Sequence, residues 1–202
     1  MGSAVAPTYA CLFMHWLETT KLFSSWTGTK PHRWYRYIDD IVFFWHSSVD
    51  ELQDFLAHIN IQNPHIKFTA EYNKETRNIP FLDTEVSIND EGFIVTDLYK
   101  KSTAKRQYLL PSSCHPGHIS RNIPYSLAYR LLRICSDHQV FLKRLEELRQ
   151  DLLARQYPAK IVHQAFEKVK LISRDEALKR VERNHCLREK CLPSPIILPF
   201  LL

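Results

Sequence analysis

Glycine is scarce in this sequence, with four residues among 202, and no internal repeat or low-complexity tract is present. These absences exclude collagen-like and linker-rich chains and predict compact folded structure. The cysteines are odd in number and lack paired spacing, so they predict no disulfide framework. They are Cys11, Cys114, Cys135, Cys186 and Cys191. Because scattered thiols suit a reducing compartment, we expect an intracellular protein, either nuclear or cytoplasmic.

A long hydrophobic run is also missing. The chain start has no basic region, and Pro7, His15 and Trp16 interrupt its apolar residues, so it does not resemble a signal peptide. Residues 193–202 are apolar, but they include three prolines, and they are shorter than the roughly 20 residues that cross a bilayer. We therefore expect no membrane partner, and we expect this tail to pack or fray at the end of the chain.

The sequence does contain ample core material and an uneven distribution of charge. Its 11 Phe, 9 Tyr and 4 Trp predict a sizeable core that needs no disulfide or metal. Residues 1–119 contain 11 Lys+Arg and 13 Asp+Glu, whereas residues 120–190 contain 16 and 9, an excess of +7. This second stretch is where we expect a polyanion to bind.

The periodicity of apolar residues predicts an α+β part followed by an all-α part. The predicted α+β elements are a helix at 7–21, a β-hairpin at 34–45, a helix at 48–59, and β-like runs at 66–72, 81–88 and 93–99, with a turn at 89–92. The predicted later helices lie at 126–135, 139–156, 159–171 and 174–190. Capping boxes at 48–51 and 173–176 indicate where two of these helices begin.

The strongest chemical signal is the string Tyr37-Ile38-Asp39-Asp40, which lies between two apolar, aromatic stretches. Adjacent carboxylates repel each other, and a divalent cation relieves that repulsion. Nucleotidyl transfer uses such carboxylates to hold two Mg²⁺ ions. The alternative interpretation is that the two acids lie in a solvent-exposed turn, where Asp is common.

A second signal is the start of the chain, where Gly2 precedes a helix that begins near Pro7. Glycine permits close backbone approach, and a helix N-terminus offers free amides to a phosphate or base. A simple helix cap is the alternative.

These two segments, in this order, resemble the palm of a reverse transcriptase. In that family a Gly-x-x-x-(Ser/Ala)-Pro helix precedes a Tyr-x-Asp-Asp catalytic hairpin. Further stretches make the chain similar to the Penelope-like retroelement branch over about residues 1–157. They are Phe-Leu-Asp-Thr-Glu-Val at 81–86, Asp-Leu-Tyr-Lys-Lys-Ser-Thr at 97–103, Cys-His-Pro-Gly-His at 114–118 and Ile-Pro-Tyr-Ser-Leu-Ala-Tyr-Arg-Leu-Leu-Arg-Ile-Cys-Ser at 123–136.

The resemblance implies a fold, a reaction and a set of roles. It implies a partial palm at 1–100 (helix, catalytic hairpin, helix, hairpin), a helical thumb-like or helix-turn-helix-like module at 101–192, and a tail at 193–202. In some animal members a helix-turn-helix-like module follows the palm, here at about 97–153. The implied partners are an RNA or DNA template-primer and a dNTP. The implied site residues are Asp39 and Asp40 for catalysis and Mg²⁺, Gly2, Pro7 and Tyr37 for template and nucleotide, and Phe81, Leu82 and Asp83 for gripping the primer.

The family's other catalytic Asp and its fingers precede the part of the family that this sequence matches. We therefore expect the chain as given to be a fragment of an RNA-directed DNA polymerase that is inactive alone, and we find no endonuclease domain after Lys190. The alternative is a non-catalytic nucleic-acid-binding protein of helix-turn-helix type. A third hypothesis is a product without selected activity.

The basic helical half contains the cations that we expect to contact a nucleic-acid backbone, alongside Tyr125 and Tyr129 for stacking. These cations are Arg121, Arg130, Arg133, Lys143 and Arg144, with Arg149 nearby. Ordinary solvated surface is the alternative for each one taken singly. A zinc site at Cys114, His115 and His118 is disfavoured, because the sequence has no second pair of ligands at suitable spacing.

Overall fold

The computed structural model describes residues 4–72, 77–101, 103 and 107–179. It contains helices and two small antiparallel sheets, with a helical region toward the C-terminal end, which confirms the α+β class. The described residues divide into two compact units, one up to Tyr72 and the other within 77–179. Gly2 and most of the predicted last helix, after Lys179, lie outside the described residues.

The first unit contains α1 (Ala6–Leu17), a π-helical turn (Glu18–Leu22), β1 (His32–Tyr37), β2 (Asp40–Phe44) and α2 (Val49–Ile61). Pro7 lies in the first turn of α1, where its missing N–H costs nothing. The Ser48 hydroxyl accepts a hydrogen bond of 3.2 Å from the Glu51 amide at the start of α2. This contact confirms the capping box predicted there.

Aromatic side chains form the core of the first unit. Phe55 of α2 is fully buried, and Trp26, Phe43 and Trp45 lie with their ring centroids 5.5–6.4 Å from its ring. Met14, Leu17, Leu22 and Ile59 complete this core. Burial of side chains of this size contributes roughly 1.5–3 kcal/mol each, so the helices and the hairpin are held together by the same cluster.

A three-stranded antiparallel sheet begins the second unit, in the order β3 (Asn78–Phe81), β4 (Thr84–Ile88) and β5 (Ile94–Leu98). The prediction of one strand over 81–88 is wrong, because Leu82 adopts a positive φ of 58° and turns the chain at Leu82 and Asp83. The turn predicted at 89–92 is confirmed, with Gly92 at a φ of 84°.

The β-like run at 66–72 forms no strand among the described residues. The side chain of Asn60 satisfies both backbone groups of Phe68, because its amide donates to the carbonyl at 2.9 Å and its oxygen accepts from the N–H at 2.6 Å. A side chain of α2 thus takes the place of a neighbouring strand.

Four helices follow the sheet: α3 (Gly117–Ile134), α4 (His138–Ala154), α5 (Ala159–Lys170) and α6 (Arg174–Leu178). The predicted start of the first helix at 126 is wrong, because α3 begins nine residues earlier and contains Pro124. Proline inside a helix removes a backbone hydrogen bond, but the Pro124 ring is fully buried and its packing offsets that cost. The stripe predicted for α4 is confirmed as core, namely Phe141, Leu145, Leu148 and Leu152.

Helix α3 lies at the centre of this unit and packs against α4, α5, α6 and β5. The turn between α3 and α4 is hydrogen-bonded to the edge strand β5. Thr96 donates its N–H to Ser136 Oγ, and Ser136 donates its N–H to the Thr96 carbonyl, both at 2.9 Å. The sheet and the helices therefore form one unit, which begins earlier in the chain than the boundary at 100 that the resemblance implies. No helix in the described ranges combines the length and apolar character needed to span a membrane.

Candidate nucleic-acid interface and acidic hairpin

The acidic string forms the tip of the β1–β2 hairpin. Tyr37 pairs with Asp40, which leaves Ile38 and Asp39 as a two-residue turn. Ile38 has a φ of 53°, a conformation that is strained for a β-branched residue. Asp39 therefore lies in the turn, and Asp40 is the first residue of β2.

A buried ion pair fixes the hairpin to the π-helical turn that follows α1. The Arg36 Nε donates to the Glu18 carboxylate at 2.7 Å, and the two side chains are only 2% and 9% exposed. The Trp34 indole N–H donates to the same carboxylate at 2.9 Å. Inward-facing Trp34 and Arg36 alternate along β1 with exposed Tyr35 and Tyr37, so anchoring one face presents the other to solvent.

The two carboxylates of Asp39 and Asp40 are exposed and have no hydrogen bond or ion pair within the described residues. As a pair of hard oxygen ligands they fit Mg²⁺, which keeps part of its water shell and binds few protein groups. The described part of the chain contains no group of three or more His, Cys, Asp or Glu side chains able to hold a metal ion. Cys114, His115 and His118 therefore do not form such a group.

The residues that the resemblance assigns to primer gripping lie in the second unit, at the β3–β4 turn. Asp83 accepts a hydrogen bond of 3.0 Å from Arg130 Nε and also pairs with the terminal guanidinium nitrogen. Both side chains are about half exposed. Two residues predicted for separate roles thus contact each other, and Arg130 tethers the turn of the sheet to α3.

Arg144 likewise lies within a network of charged side chains. Its guanidinium contacts Asp97 of β5 at 2.6 Å and Glu147 at 3.0 Å, and Lys100 also pairs with Glu147. The hydrogen bond with Asp97 raises the pKa of Arg144 further above its ordinary value. Burial and the neighbouring Asp97 charge raise the pKa of the Cys135 thiol to about 11. Arg144 therefore braces α4 against the sheet.

Among the other predicted backbone-contacting cations, Arg121, Arg133 and Lys143 are exposed and make no hydrogen bond or ion pair within the described ranges. Arg149 lies 3.7 Å from Glu146. The rings of Tyr125 and Tyr129 stack on each other at 5.9 Å and are half-buried. The Tyr129 hydroxyl also donates to the Ala177 carbonyl at 3.3 Å, so this pair packs within the unit.

A four-residue turn, residues 155–158, separates α4 from α5 and is firmly held. Arg155 donates to the Tyr108 carbonyl through two nitrogens, at 3.0 and 2.7 Å. Buried Tyr157 donates its hydroxyl to the Leu109 carbonyl at 2.7 Å, and its burial raises the pKa of that hydroxyl. The turn is therefore fixed to the segment that precedes α3, and the entry into α5 is rigid.

Helix α5 has two sharply different faces. Val162, Ala165, Phe166 and Val169 are buried against the rest of the unit. The opposite face is exposed and carries Lys160, His163, Gln164, Glu167 and Lys168. The predicted nucleic-acid contacts did not include these residues. Their positions between the apolar residues of the predicted helix nevertheless indicate an exposed polar face.

Comparison with family models gives a match within the second unit. A family model described as an animal helix-turn-helix domain matches residues 107–167, which include α3, α4 and most of α5. No curated protein and no solved structure matches the chain.

Proposed function

We propose that this protein binds nucleic acid through a helix-turn-helix in which α4 and α5 are the two helices and α5 enters the groove. The observation that carries the proposal is the outward face of α5, which follows a rigid four-residue turn inside the region similar to an animal helix-turn-helix domain. Helix-turn-helix proteins use a short turn of this kind, and the N-terminal part of the second helix contacts base edges.

The charges favour α5 over α4 as the helix that enters the groove. Helix α4 contains three cations and three acids, and its Arg144 and Glu147 are bonded toward β5 and Lys100. Helix α5 contains Lys160, Lys168 and Lys170 against a single acid, Glu167. Glu167 is bonded to Lys170 at 2.9 Å, and that bond lowers the pKa of Glu167.

The first two turns of α5 present the donors that base edges require. Lys160, His163 and Gln164 are exposed there, and neither described side chains nor backbone groups bond to them. Gln can pair with adenine and Lys with guanine in the major groove. Lys168, one turn further on, is placed for a phosphate contact, which supplies affinity without sequence preference.

The salt dependence of binding tests the assignment of α5. We expect the double variant Lys160→Ala, Lys168→Ala to lower affinity for duplex DNA and to reduce the slope of log K against log[salt] by about 1, since the phosphate contact of Lys168 contributes about 0.9. Fluorescence anisotropy at several salt concentrations measures this slope.

A matched control removes the same charge elsewhere. Lys21→Ala, Lys30→Ala takes two exposed cations from the first unit, outside the matched region, and we expect a smaller change in slope. An equal change for both double variants would mean that α5 is not the helix that enters the groove.

A second function, inherited from a reverse transcriptase, is favoured by the acidic hairpin. We propose that Asp39 and Asp40 bind Mg²⁺ as part of an RNA-directed DNA polymerase acting on a template-primer and a dNTP. Exposed, unbonded carboxylates at a strained turn beside Tyr37 support this proposal. When bound, the metal would supply charge stabilisation for phosphoryl transfer, and the Glu18–Arg36 pair would hold the carboxylates in place.

Metal binding tests this second proposal without requiring activity. We expect Mn²⁺, used as a paramagnetic probe for Mg²⁺, to broaden NMR resonances of residues 37–41, and Asp39→Asn, Asp40→Asn to remove the effect. Asp50→Asn, Asp54→Asn removes two exposed carboxylates from α2 as a matched control. Broadening that follows the α2 pair, or that survives in the hairpin variant, would refute the metal site.

A further inference from the structure

Two histidines meet at the open end of the β1–β2 hairpin, away from the acidic turn. His32 is the first residue of β1 and pairs with Phe44, the last residue of β2. His46 follows two positions after Phe44. The centroids of the two imidazole rings are 5.5 Å apart, with an angle of 65° between the ring planes.

Both rings are available to a ligand. His32 and His46 are exposed, and neither ring has a hydrogen bond within the described part of the chain. Two other histidines differ in this respect, since His58 lies 3.1 Å from the Ser25 hydroxyl and His115 lies 3.2 Å from the Ser113 hydroxyl. Imidazole nitrogen is a preferred ligand for zinc, copper and nickel ions.

We propose that His32 and His46 together bind a zinc ion across the open end of the hairpin. With Zn–N bonds of 2.0–2.1 Å and tetrahedral geometry, two coordinated imidazoles have ring centroids about 5 Å apart. The observed centroid separation of 5.5 Å is close to that value. The backbone of the hairpin already brings the two rings together.

The surroundings set the strength and the effect of this site. No third His, Cys, Asp or Glu joins the pair among the described residues, so water completes the coordination. With two protein ligands, the site should bind zinc more weakly than a structural site with four. Because the strand register shifts between His32 and Tyr35, a bound ion would clamp the hairpin where its pairing is irregular, and it would stabilise the folded chain by mass action.

Isothermal titration of the full chain with zinc chloride, together with the melting temperature with and without zinc, tests the proposal. We expect His32→Gln and His46→Gln each to weaken one zinc-binding event at least about tenfold, since each removes one of two ligands. The same variants should lose the rise in melting temperature. Urea unfolding followed by tryptophan fluorescence checks that each variant is folded.

Two control variants locate the zinc. His15→Gln removes another exposed histidine from the same unit, and Cys114→Ala removes the cysteine of the zinc site that the sequence disfavours. We expect both to bind zinc as the parent chain does. Zinc binding that is unchanged in both histidine variants, or lost in either of these controls instead, would overturn the proposal.

Discussion

Asp97 should be the most important charged residue for the stability of the helical unit. Its carboxylate accepts hydrogen bonds from Arg144 at 2.6 and 3.0 Å and joins β5 to α4. The two side chains are 23% and 22% exposed. The exposure of this pair is thus intermediate between that of surface ion pairs and that of buried pairs. Surface pairs contribute at most about 1 kcal/mol, and disruption of buried pairs costs about 3–5 kcal/mol. We expect Asp97→Asn to lower the free energy of unfolding of this unit by about 2 kcal/mol.

The same pair predicts how stability depends on pH. Burial alone would raise the pKa of Asp97, but hydrogen bonds from Arg144 and from the Leu98 amide lower it overall. The hydrogen bond from Lys100 likewise lowers the pKa of Glu147. A lowered pKa stabilises the folded state above the unfolded-state value, near pH 4, and this stabilisation is lost as pH falls through the folded-state pKa. The parent chain should therefore lose stability below about pH 4 more steeply than Asp97→Asn.

Urea unfolding followed by far-UV circular dichroism, at neutral and acidic pH, measures both effects. Because the two units can unfold separately, the transition of the helical unit must be fitted separately. Asp90→Asn, at the exposed β4–β5 turn, is the matched control and should be neutral. Equal stability of Asp97→Asn and the parent at neutral pH, or identical acid profiles, would refute the reasoning.

Three further changes have definite expected outcomes in urea unfolding. Glu18→Gln leaves the buried Arg36 without its carboxylate and should cost about 3 kcal/mol in the first unit, with Glu18→Leu, Arg36→Met recovering most of it. Ile38→Gly relieves a positive φ and should stabilise the hairpin by about 0.5–1 kcal/mol, whereas a loss of stability would mean that the turn is not strained. Tyr157→Phe removes the hydroxyl bonded to the Leu109 carbonyl and should cost the second unit about 1 kcal/mol, and no change would mean that this bond does not hold the turn.

Periodicity located most of the elements because their buried faces are regular. The stripe at Phe141, Leu145, Leu148 and Leu152 and the two serine caps needed only local patterns. Errors arose where a tertiary contact overrode the local pattern. The Asn60 side chain replaces a strand partner at Phe68, and the packing of Pro124 lets α3 begin well before the residue that a local pattern favours.

The candidate sites were predictable to different degrees. The position of Asp39 and Asp40 at a hairpin tip followed from the apolar runs on both sides. Which cations are bonded did not follow, because Arg130 and Arg144 meet carboxylates 47 residues away in sequence. A count of charges along the chain cannot distinguish cations held in ion pairs from exposed cations. For the same reason, that count did not identify the outward face of α5.

The most direct test of the central claim is the affinity of the full chain for duplex DNA, compared between the parent and the triple variant Lys160→Ala, His163→Ala, Gln164→Ala. All three side chains are exposed on the first two turns of α5, so the fold should persist. If α5 enters the groove, affinity falls by at least about tenfold, since each good base contact contributes roughly 1–3 kcal/mol. Unchanged affinity in a folded triple variant would contradict the account.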